Sequence, residues 1–413
     1  MSLMPWRIVV VTDVGVDSGN PAEITPGAKG ADAWFASLGL TLPLPGAGTP
    51  DAVLHDPKTQ RVEAAWRGLN LLASHAAEPL LLEALSVPRA QLVARFREEL
   101  YEPALESGAP PLTLVVLDFD FTHKASDVAD LAALGAMAAD LQACVVAHAH
   151  AGILDLRFLV QAAAMQEVAT KLTDSAHAGF AALQKSDDAR WLSLTLNRFL
   201  LREPFDGEKC AESNPDSYLW GRGGWLVGAA TARSIAAHGH ALDLSGAGGR
   251  FENMATRGYP VKTNESQALA TEIPFGEMQM LTLAHGAFAP LVGALNASTV
   301  NLPLVTTIHR LSPGKLTLEG TLSYQLTAAR FAQVCGAMLS QAPRGASDAD
   351  ASAWIVSRLR ADLGGLLKNA ADEALTVAVE TDEAGERTAV VTLKPGLTLE
   401  GKQPEFVLGL PLE

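Results

Sequence analysis

The chain has 413 residues, a formal net charge of −15 and 48% hydrophobic residues. That length is too great for one compact core and predicts roughly two to three domains. The negative charge argues against nucleic-acid binding, because phosphate recognition requires clustered lysine and arginine. No apolar run is long enough to span a bilayer and no signal peptide opens the chain, so we expect a soluble, cytoplasmic protein with no direct membrane insertion.

The N-terminal segment, residues 1–54, is predicted to hold a strand and a linker. An apolar run from Trp6 to Val14 is typical of a strand, and residues 45–50 have the proline and glycine content of a linker. Because unpaired strand edges pair readily with other chains, we expect Arg7, Val9 and Val11 to contact a partner. A strand of the chain's own sheet is the alternative.

The next part, residues 55–320, contains a pattern typical of a parallel β-α-β unit. Leu112–Leu117 is a short apolar run, and a second run covers Ala143–Ala147. Between them apolar residues recur at helical spacing, with Ser126 as the expected N-cap. The pattern predicts two parallel strands joined by a right-handed helical connection.

Other segments complete a mixed α/β (α+β) fold with a central β-sheet of βαβ units flanked by helices. The last part, residues 321–413, is predicted to be two helices followed by three strands, with a hairpin turn at Glu383–Glu386. Helices are predicted at residues 59–76, 89–100, 156–183, 218–238, 282–295, 321–341 and 351–371, and strands at 79–85, 190–200, 375–380, 389–394 and 405–410.

Polar side chains after the Leu112–Leu117 run are the strongest enzymatic signal in the sequence. Asp118, Asp120 and His123 follow the strand at the position where α/β enzymes place catalytic groups. Capping of the next helix explains the same residues. An α/β enzyme using these three side chains is therefore an alternative function.

Metal and cofactor signals are weak. His148 and His150 face the same side of a strand but lack a third ligand at a characteristic spacing. Cys144, Cys210 and Cys335 match no zinc spacing. We therefore expect no metal site, no cofactor and no enzyme activity.

A basic cluster in the middle of the chain admits two interpretations. Arg202, Lys209, Arg222 and Arg233 form either a solvated face or a contact with an acidic partner. We take Arg198, Arg202 and Arg222 as candidate partner contacts.

An ordered set of motifs resembles the large subunit of the type VI secretion contractile sheath, the TssC/VipB family. The resemblance extends from about residue 55 to the end. It rests on Val62–Leu69 (family EAAWRGL), Leu114–Val128 (GDYEF-H-EDV), Asp188–Arg190 with Leu196–Leu201 (DAR…LPRFLLR), Tyr218–Gly221 (YLWG), Thr271–Ile273 (TEV), Gly286–Pro290 (GFIPL), Leu322–Phe331 (LPY…SRFAHY) and Leu393–Leu412 (LRP…LEGL…LRLV…LP).

This resemblance implies a structural protein. Such a subunit pairs with a small TssB/VipA-like sheath subunit, self-associates in rings around an Hcp-like inner tube, and contracts to deliver effectors. A ClpV-type ATPase would recycle the sheath. Donated terminal strands would hold neighbouring subunits together, and the C-terminal candidates are Phe406, Leu408 and Leu410.

The opening of the chain departs from the family pattern. Large subunits carry a longer N-terminal region, whereas here a strand begins almost at once and resembles the start of the small subunit. The departure raises a further alternative, a non-polymerising binding or regulatory module derived from a sheath protein.

Overall fold

The structure is a computed structural model. It describes residues 4–41, 49–106, 108–207, 211–339, 345–368, 370–381, 386–396, 398–399 and 401–412. Lys209, Cys210, most of the predicted linker and residues 383–385 of the predicted hairpin turn lie outside the described residues.

Strands and helices are numbered in chain order. The strands are β1 Trp6–Thr12, β2 Ala22–Glu23, β3 Leu80–Ser86, β4 Leu114–Phe121, β5 Cys144–Ala149, β6 Leu192–Leu196, β7 Arg198–Leu200, β8 Trp220–Arg222, β9 Arg250–Phe251, β10 Arg257–Lys262, β11 Glu265–Leu269, β12 Ala289–Pro290, β13 Val292–Gly293, β14 Val300–Asn301, β15 Leu375–Thr381, β16 Arg387–Leu393 and β17 Phe406–Leu412. The helices are α1 Asp32–Ser37, α2 Asp51–Leu54, α3 Pro57–Ala73, α4 Leu92–Phe96, α5 Glu102–Ala104, α6 Ala125–Asp140, α7 Val168–Lys171, α8 Ala178–Gln184, α9 Gly224–His238, α10 Glu277–His285, α11 Leu322–Leu339, α12 Asp348–Asp362 and α13 Gly364–Leu367.

The central sheet is a doubly wound sheet of seven strands in the order β12-β6-β5-β4-β1-β3-β2. All neighbouring pairs are parallel except β2 with β3. Strands β3, β1, β4, β5 and β6 follow the order 2-1-3-4-5, in which the chain reverses direction across the sheet between β1 and β4. This confirms the predicted βαβ architecture and locates the switch point of the sheet.

Strand β1 lies inside this sheet, which corrects the expectation of an N-terminal strand available to another chain. All seven of its residues are buried, and its two edges pair with β3 and β4. A continuous apolar run is typical of strands covered on both faces, so the same pattern that favoured an exchangeable strand fits a central one better. Arg7 pairs internally with Glu83 at 2.5 Å, and Val9 and Val11 are fully buried.

Helix α6 forms the predicted crossover between β4 and β5. Val128, Leu131 and Leu134 are buried along one face, as their spacing predicted. The predicted cap is wrong, because Lys124 occupies the N-cap position without a side-chain hydrogen bond. Asp127 instead accepts hydrogen bonds from the backbone N–H and hydroxyl of Thr122 at 2.8 and 2.6 Å.

Three predicted helices differ from the helices that the structure shows. Residues 218–223 form β8 and its turn before α9 begins at Gly224. Helix α10 stops at His285, and Ala287 has a φ of 75° that ends helical geometry. Residues 156–183 form short 3₁₀ turns with α7 and α8 rather than one long helix.

Helices α3 and α9 pack closely over the sheet because glycines face bulky side chains. A Cβ added at Gly68 would lie 2.4 Å from the Trp225 ring, and one at Gly228 would lie 2.7 Å from Leu72. The motif around Gly68 therefore allows a tryptophan to lie directly against the backbone of α3.

The C-terminal part forms a second hydrophobic cluster. Strands β15, β16 and β17 form an antiparallel sheet that packs with α11 and α12. The cluster is formed by residues that include Phe331, Ile355, Val391 and Phe406. Near the other end of the chain, Trp34 and Phe35 belong to the main core around the central sheet.

In the parts of the chain that the structure describes, no helix combines the length and apolar character needed to cross a membrane.

The glycine contact yields a stability prediction. Gly68→Ala gains about 1 kcal/mol of helix propensity but overpacks Trp225, which costs about 1–3 kcal/mol. We expect net destabilisation in urea denaturation followed by circular dichroism.

Gly336 of α11 is the matched control, since nothing lies within 4 Å of an added Cβ. Gly336→Ala should stabilise the chain by about 0.5–1 kcal/mol. Equal effects of the two substitutions would contradict the packing argument.

Candidate functional site

A charged crevice lies at the switch point of the central sheet, beyond the carboxyl ends of β1 and β4. Doubly wound proteins bind their ligands at this place. The cavity has a volume of about 270 Å³ and is lined by Asp13, Arg61, Arg89, Asp118, Phe119, Asp120 and Arg222.

Arg222 lines this crevice and binds both acidic residues predicted there. Its Nη1 donates to Asp118 Oδ1 at 3.0 Å, while Nε and Nη2 donate to the two carboxylate oxygens of Asp120 at 2.8 and 2.9 Å. Asp118 also accepts from Trp225 Nε1 at 3.1 Å and from the Thr12 hydroxyl at 2.9 Å. The guanidinium thus makes the strong, bidentate type of ion pair.

The protonation of this group is set by burial and by the ion pairs. Burial raises the pKa of Asp118, although the charge and hydrogen bonds of Arg222 oppose that rise. Loss of water also opposes ionisation of Asp120, but Arg222 outweighs it and lowers the pKa of that carboxyl. Burial likewise acts against the charge of Arg222, and the two carboxylates overcome it and raise the pKa of Arg222.

His123 does not join these carboxylates, so the three residues of the enzyme alternative are not brought together. Its Nδ1 lies 2.5 Å from the carbonyl oxygen of Gly152, and its ring centroid lies 4.6 Å from that of His177. It lines a different, largely apolar cavity of about 520 Å³ with residues such as Val128 and Leu183.

His148 in strand β5 and His150, just after that strand, both form hydrogen bonds within the protein. His148 lies opposite Asp120 and Thr195 in the sheet. Thr195 donates its hydroxyl proton to the Ala147 carbonyl at 3.0 Å, so we assign His148 Nδ1–H as the donor to Thr195 at 3.1 Å. Burial lowers the pKa of His148 to about 3.

His150 accepts from the backbone N–H of Gly152 at 3.0 Å and caps a short 3₁₀ helix. Among the described residues, no group of three or more His, Cys, Asp or Glu side chains is arranged to hold a metal ion.

The other arginines expected to contact partners are also paired internally. Arg202 is buried and binds Glu212 at 2.5 and 2.9 Å and Glu63 at 3.2 Å. Arg198 is more open, with 38% of its side chain exposed; it binds Glu272 at 2.7 Å and lies over the Trp220 ring.

Sequence reasoning did not identify the acidic partners of these arginines. Glu63 is the one for which the sequence offers a signal of ion pairing. A glutamate four residues before Arg67 on α3 has a recognisable ion-pair spacing. Glu212 and Glu272 lie far along the chain or in loops, and no spacing rule links them to Arg202 or Arg198.

Strand β17 is one of the two edge strands of the C-terminal sheet, and β15 is the other. Strand β17 pairs with β16, and no other described strand pairs with its opposite edge. Phe406 and Leu410 are buried and Leu408 is half-buried, so these predicted contact residues mainly pack inward. Val407, which is 60% exposed, and the backbone edge face outward.

The Arg222 ion pairs yield a second stability prediction. Arg222→Ala leaves the buried Asp118 carboxylate without its counter-charge, so we expect a loss of about 2–4 kcal/mol in urea denaturation. Arg222→Met combined with Asp118→Asn should recover part of this loss, because the buried charge of Asp118 is removed and only the Asp120 carboxylate, 40% exposed, loses its partner.

Arg250→Ala is the control, because both Arg250 and its partner Glu252 are exposed. A change of about 0.5 kcal/mol or less is expected there. An Arg222→Ala variant as stable as Arg250→Ala would contradict the role assigned to Arg222.

His148 yields a pH prediction. Because its folded pKa of about 3 lies below the unfolded value of 6.5, the unfolded chain binds the extra proton between these pH values. The contribution of His148 therefore makes the free energy of unfolding fall as pH falls through this window, by about 2 kcal/mol between pH 6.5 and 5. His148→Gln should remove that part of the slope in urea titrations at several pH values; parallel curves would refute it.

Comparison with known proteins identifies a family and a curated relative that this chain matches. Residues 49–307 match the family described as VipB: EvpB/VC_A0108, tail sheath N-terminal domain. The chain is 22% identical over 274 residues to the type VI secretion system sheath protein TssC1 of Pseudomonas aeruginosa, which covers 59% of this chain and 55% of the relative. The chain thus spans about half the length of this curated relative.

One solved structure shares the fold, and others are similar to a lesser degree. A chain in the cryo-EM structure of the anti-feeding prophage baseplate aligns over 100% of this chain and 90% of its own length, with 12% identity and a TM-score of 0.53. A sheath tail protein from Desulfitobacterium hafniense aligns over 100% of this chain and 97% of its own length, with 8% identity and a TM-score of 0.49.

The family match covers more than half of the chain and includes the switch-point strand β4, helix α3 and the Arg222 strand β8. This confirms the resemblance found in the sequence: the protein belongs to the VipB (TssC) family of contractile tail sheath proteins.

Proposed function

We propose that the protein is a structural subunit of a type VI secretion contractile sheath and has no enzymatic activity. The observation that carries this proposal is the sheath-family match over residues 49–307. In this role the subunit assembles around an inner tube, and contraction of the assembly drives effector delivery.

The geometry of the crevice supports a structural role. Each arginine that lines it is bound to a carboxylate: Arg61 to Asp13, Arg89 to Asp127 and Asp130, and Arg222 to Asp118 and Asp120. At the place where an α/β enzyme would bind substrate, the lining arginines are thus already paired with the chain's own carboxylates. This favours a sheath subunit over an enzyme that uses Asp118, Asp120 and His123.

Partners follow from the same role. We propose that the chain pairs with a small TssB/VipA-like subunit, self-associates, surrounds an Hcp-like tube and is recycled in the cytoplasm by a ClpV-type ATPase. The proposed contact surface is the free edge of β17, which contains Phe406, Leu408 and Leu410, together with the exposed part of Arg198. We do not extend it to Arg7, Val9, Val11, Arg202 or Arg222, whose contacts lie within the chain.

The domain division is also a proposal. The second hydrophobic cluster consists almost entirely of residues after 320, which supports a boundary near 320. The burial of β1 in the main core supports joining the N-terminal strand to the 55–320 body.

Pro411 indicates which backbone groups of β17 face outward. Proline occurs within sheets where its nitrogen faces the free side, and backbone groups alternate along a strand. Because Pro411 lies in β17, the N–H of Val407, four residues earlier, should also face the free edge.

The assembly test uses this geometry. Co-expressed with its small subunit, the wild-type chain should form hollow cylinders visible by electron microscopy. Val407→Pro removes an outward N–H and should abolish the cylinders while leaving the thermal unfolding of the isolated chain nearly unchanged.

Val407→Thr is the matched control, because it keeps both the N–H and a β-branched side chain, and it should still form cylinders. Dispersed particles from the wild-type pair would refute the sheath role. Cylinders from Val407→Pro would refute the use of the β17 edge as a contact surface, but not the sheath role.

A further inference from the structure

A small cavity away from the switch point is lined by basic and neutral residues only. It has a volume of about 120 Å³ and lies between the ends of α8 and α10 and the loop after Arg310. Its lining residues are Ala169, Leu172, Thr173, Ala181, Gln184, Lys185, His285, Gly286, Arg310, Pro313 and Gly314. The absence of a carboxylate among them is unusual in a chain with a net charge of −15.

Arg310 carries a buried charge that no acidic side chain among the described residues neutralises. It is only 5% exposed, and its Nη atoms donate to the carbonyl oxygens of Thr307, His309 and Ala284 at 3.1, 2.6 and 2.8 Å. Its Nε is buried and has no hydrogen-bond partner. Burial lowers the pKa of Arg310 to about 10. A buried charge whose partners are all neutral is costly, so a bound anion would stabilise it.

The helix end beside the cavity supplies only part of the missing negative charge, because the carbonyl groups at a helix C-terminus carry partial charges. The Ala284 carbonyl accepts from Arg310, the Gln184 carbonyl accepts from the Arg310 backbone N–H at 2.7 Å, and the Gly286 carbonyl accepts from Gln184 Nε2 at 3.3 Å. These partial charges are therefore already engaged. Lys185 and His285, both exposed, add positive charge or N–H donors at the rim.

We propose that this cavity, the Arg310 site, binds one oxyanion of carboxylate or phosphate type. Arg310 supplies the fixed charge, and Lys185 and His285 supply donors on exposed side chains. Leu311, the residue after Arg310, is 69% exposed and offers an apolar contact to another protein, so the anion can be an acidic side chain of a partner or a free oxyanion. The two sources share the same chemistry, and the inference does not depend on the sheath role.

Calorimetric titration with inorganic phosphate at constant ionic strength tests the site. The full chain should show one saturable site, and Lys185→Gln combined with His285→Gln should weaken binding at least tenfold. Arg310→Met should abolish binding. Because that variant removes three hydrogen bonds, its fold is checked by circular dichroism, and the exposed double variant keeps the test independent of it.

Lys262→Gln is the control, because Lys262 is exposed on β10 and does not line the cavity. It should bind phosphate as the wild type does. No saturable binding, or equal binding by the wild type and the double variant, would overturn the proposal and leave Arg310 as a helix cap only.

Competition separates the two sources of the anion. Displacement of phosphate by acetyl-Gly-Glu-Gly-amide, but not by the glutamine peptide, supports an acidic side chain from a partner. Saturable phosphate binding that neither peptide displaces supports a free oxyanion at the same site.

Discussion

The ion pair between Asp118 and Arg222 is the interaction on which the centre of this protein depends. The carboxylate lies within β4, just past its last pairing with β1, and its hydrogen bonds come from β1, β8 and α9 through Thr12, Arg222 and Trp225. The Trp225 ring can reach Asp118 because Gly68 of α3 leaves room for it. The buried carboxylate of Asp118 thereby joins β1, β8 and α9 at the switch point of the sheet. Gly68 of α3 makes this possible by leaving room for the Trp225 ring.

The same interaction explains how a doubly wound sheet serves a sheath protein. In this architecture the switch point is ordinarily the place for a ligand, and here it is lined by arginines that are paired with carboxylates of the same chain. A second buried network, in which Arg202 binds Glu63 and Glu212, fixes the loop after β7 against α3. Buried pairs of this kind add little net stability compared with apolar packing, but breaking them is costly, so they favour one arrangement of the chain.

The two ends of the chain have different roles. Arg330 of α11 donates to the carbonyl oxygens of Met4 and Pro5 and lies over the Trp6 ring, so the C-terminal part holds the start of β1. Strand β1 is therefore held on both edges and at its beginning. Strand β17 keeps one edge without a described partner, and this edge is the contact surface that we propose.

Local patterns and motif order in the sequence determined the family, the βαβ unit and the C-terminal strands. Apolar runs such as Leu112–Leu117 specify buried strands wherever they lie in the sheet, and the helical spacing of Val128, Leu131 and Leu134 specifies which face is covered. Only the tertiary structure decided that β1 is central, that Arg202 and Arg222 bind the distant carboxylates of Glu63 and Asp118, and that His123 lies apart from Asp118. The physical reason is that a strand pattern carries no information on which edges are paired. Likewise, the charge of an arginine does not show which carboxylate the folded chain brings within hydrogen-bonding distance.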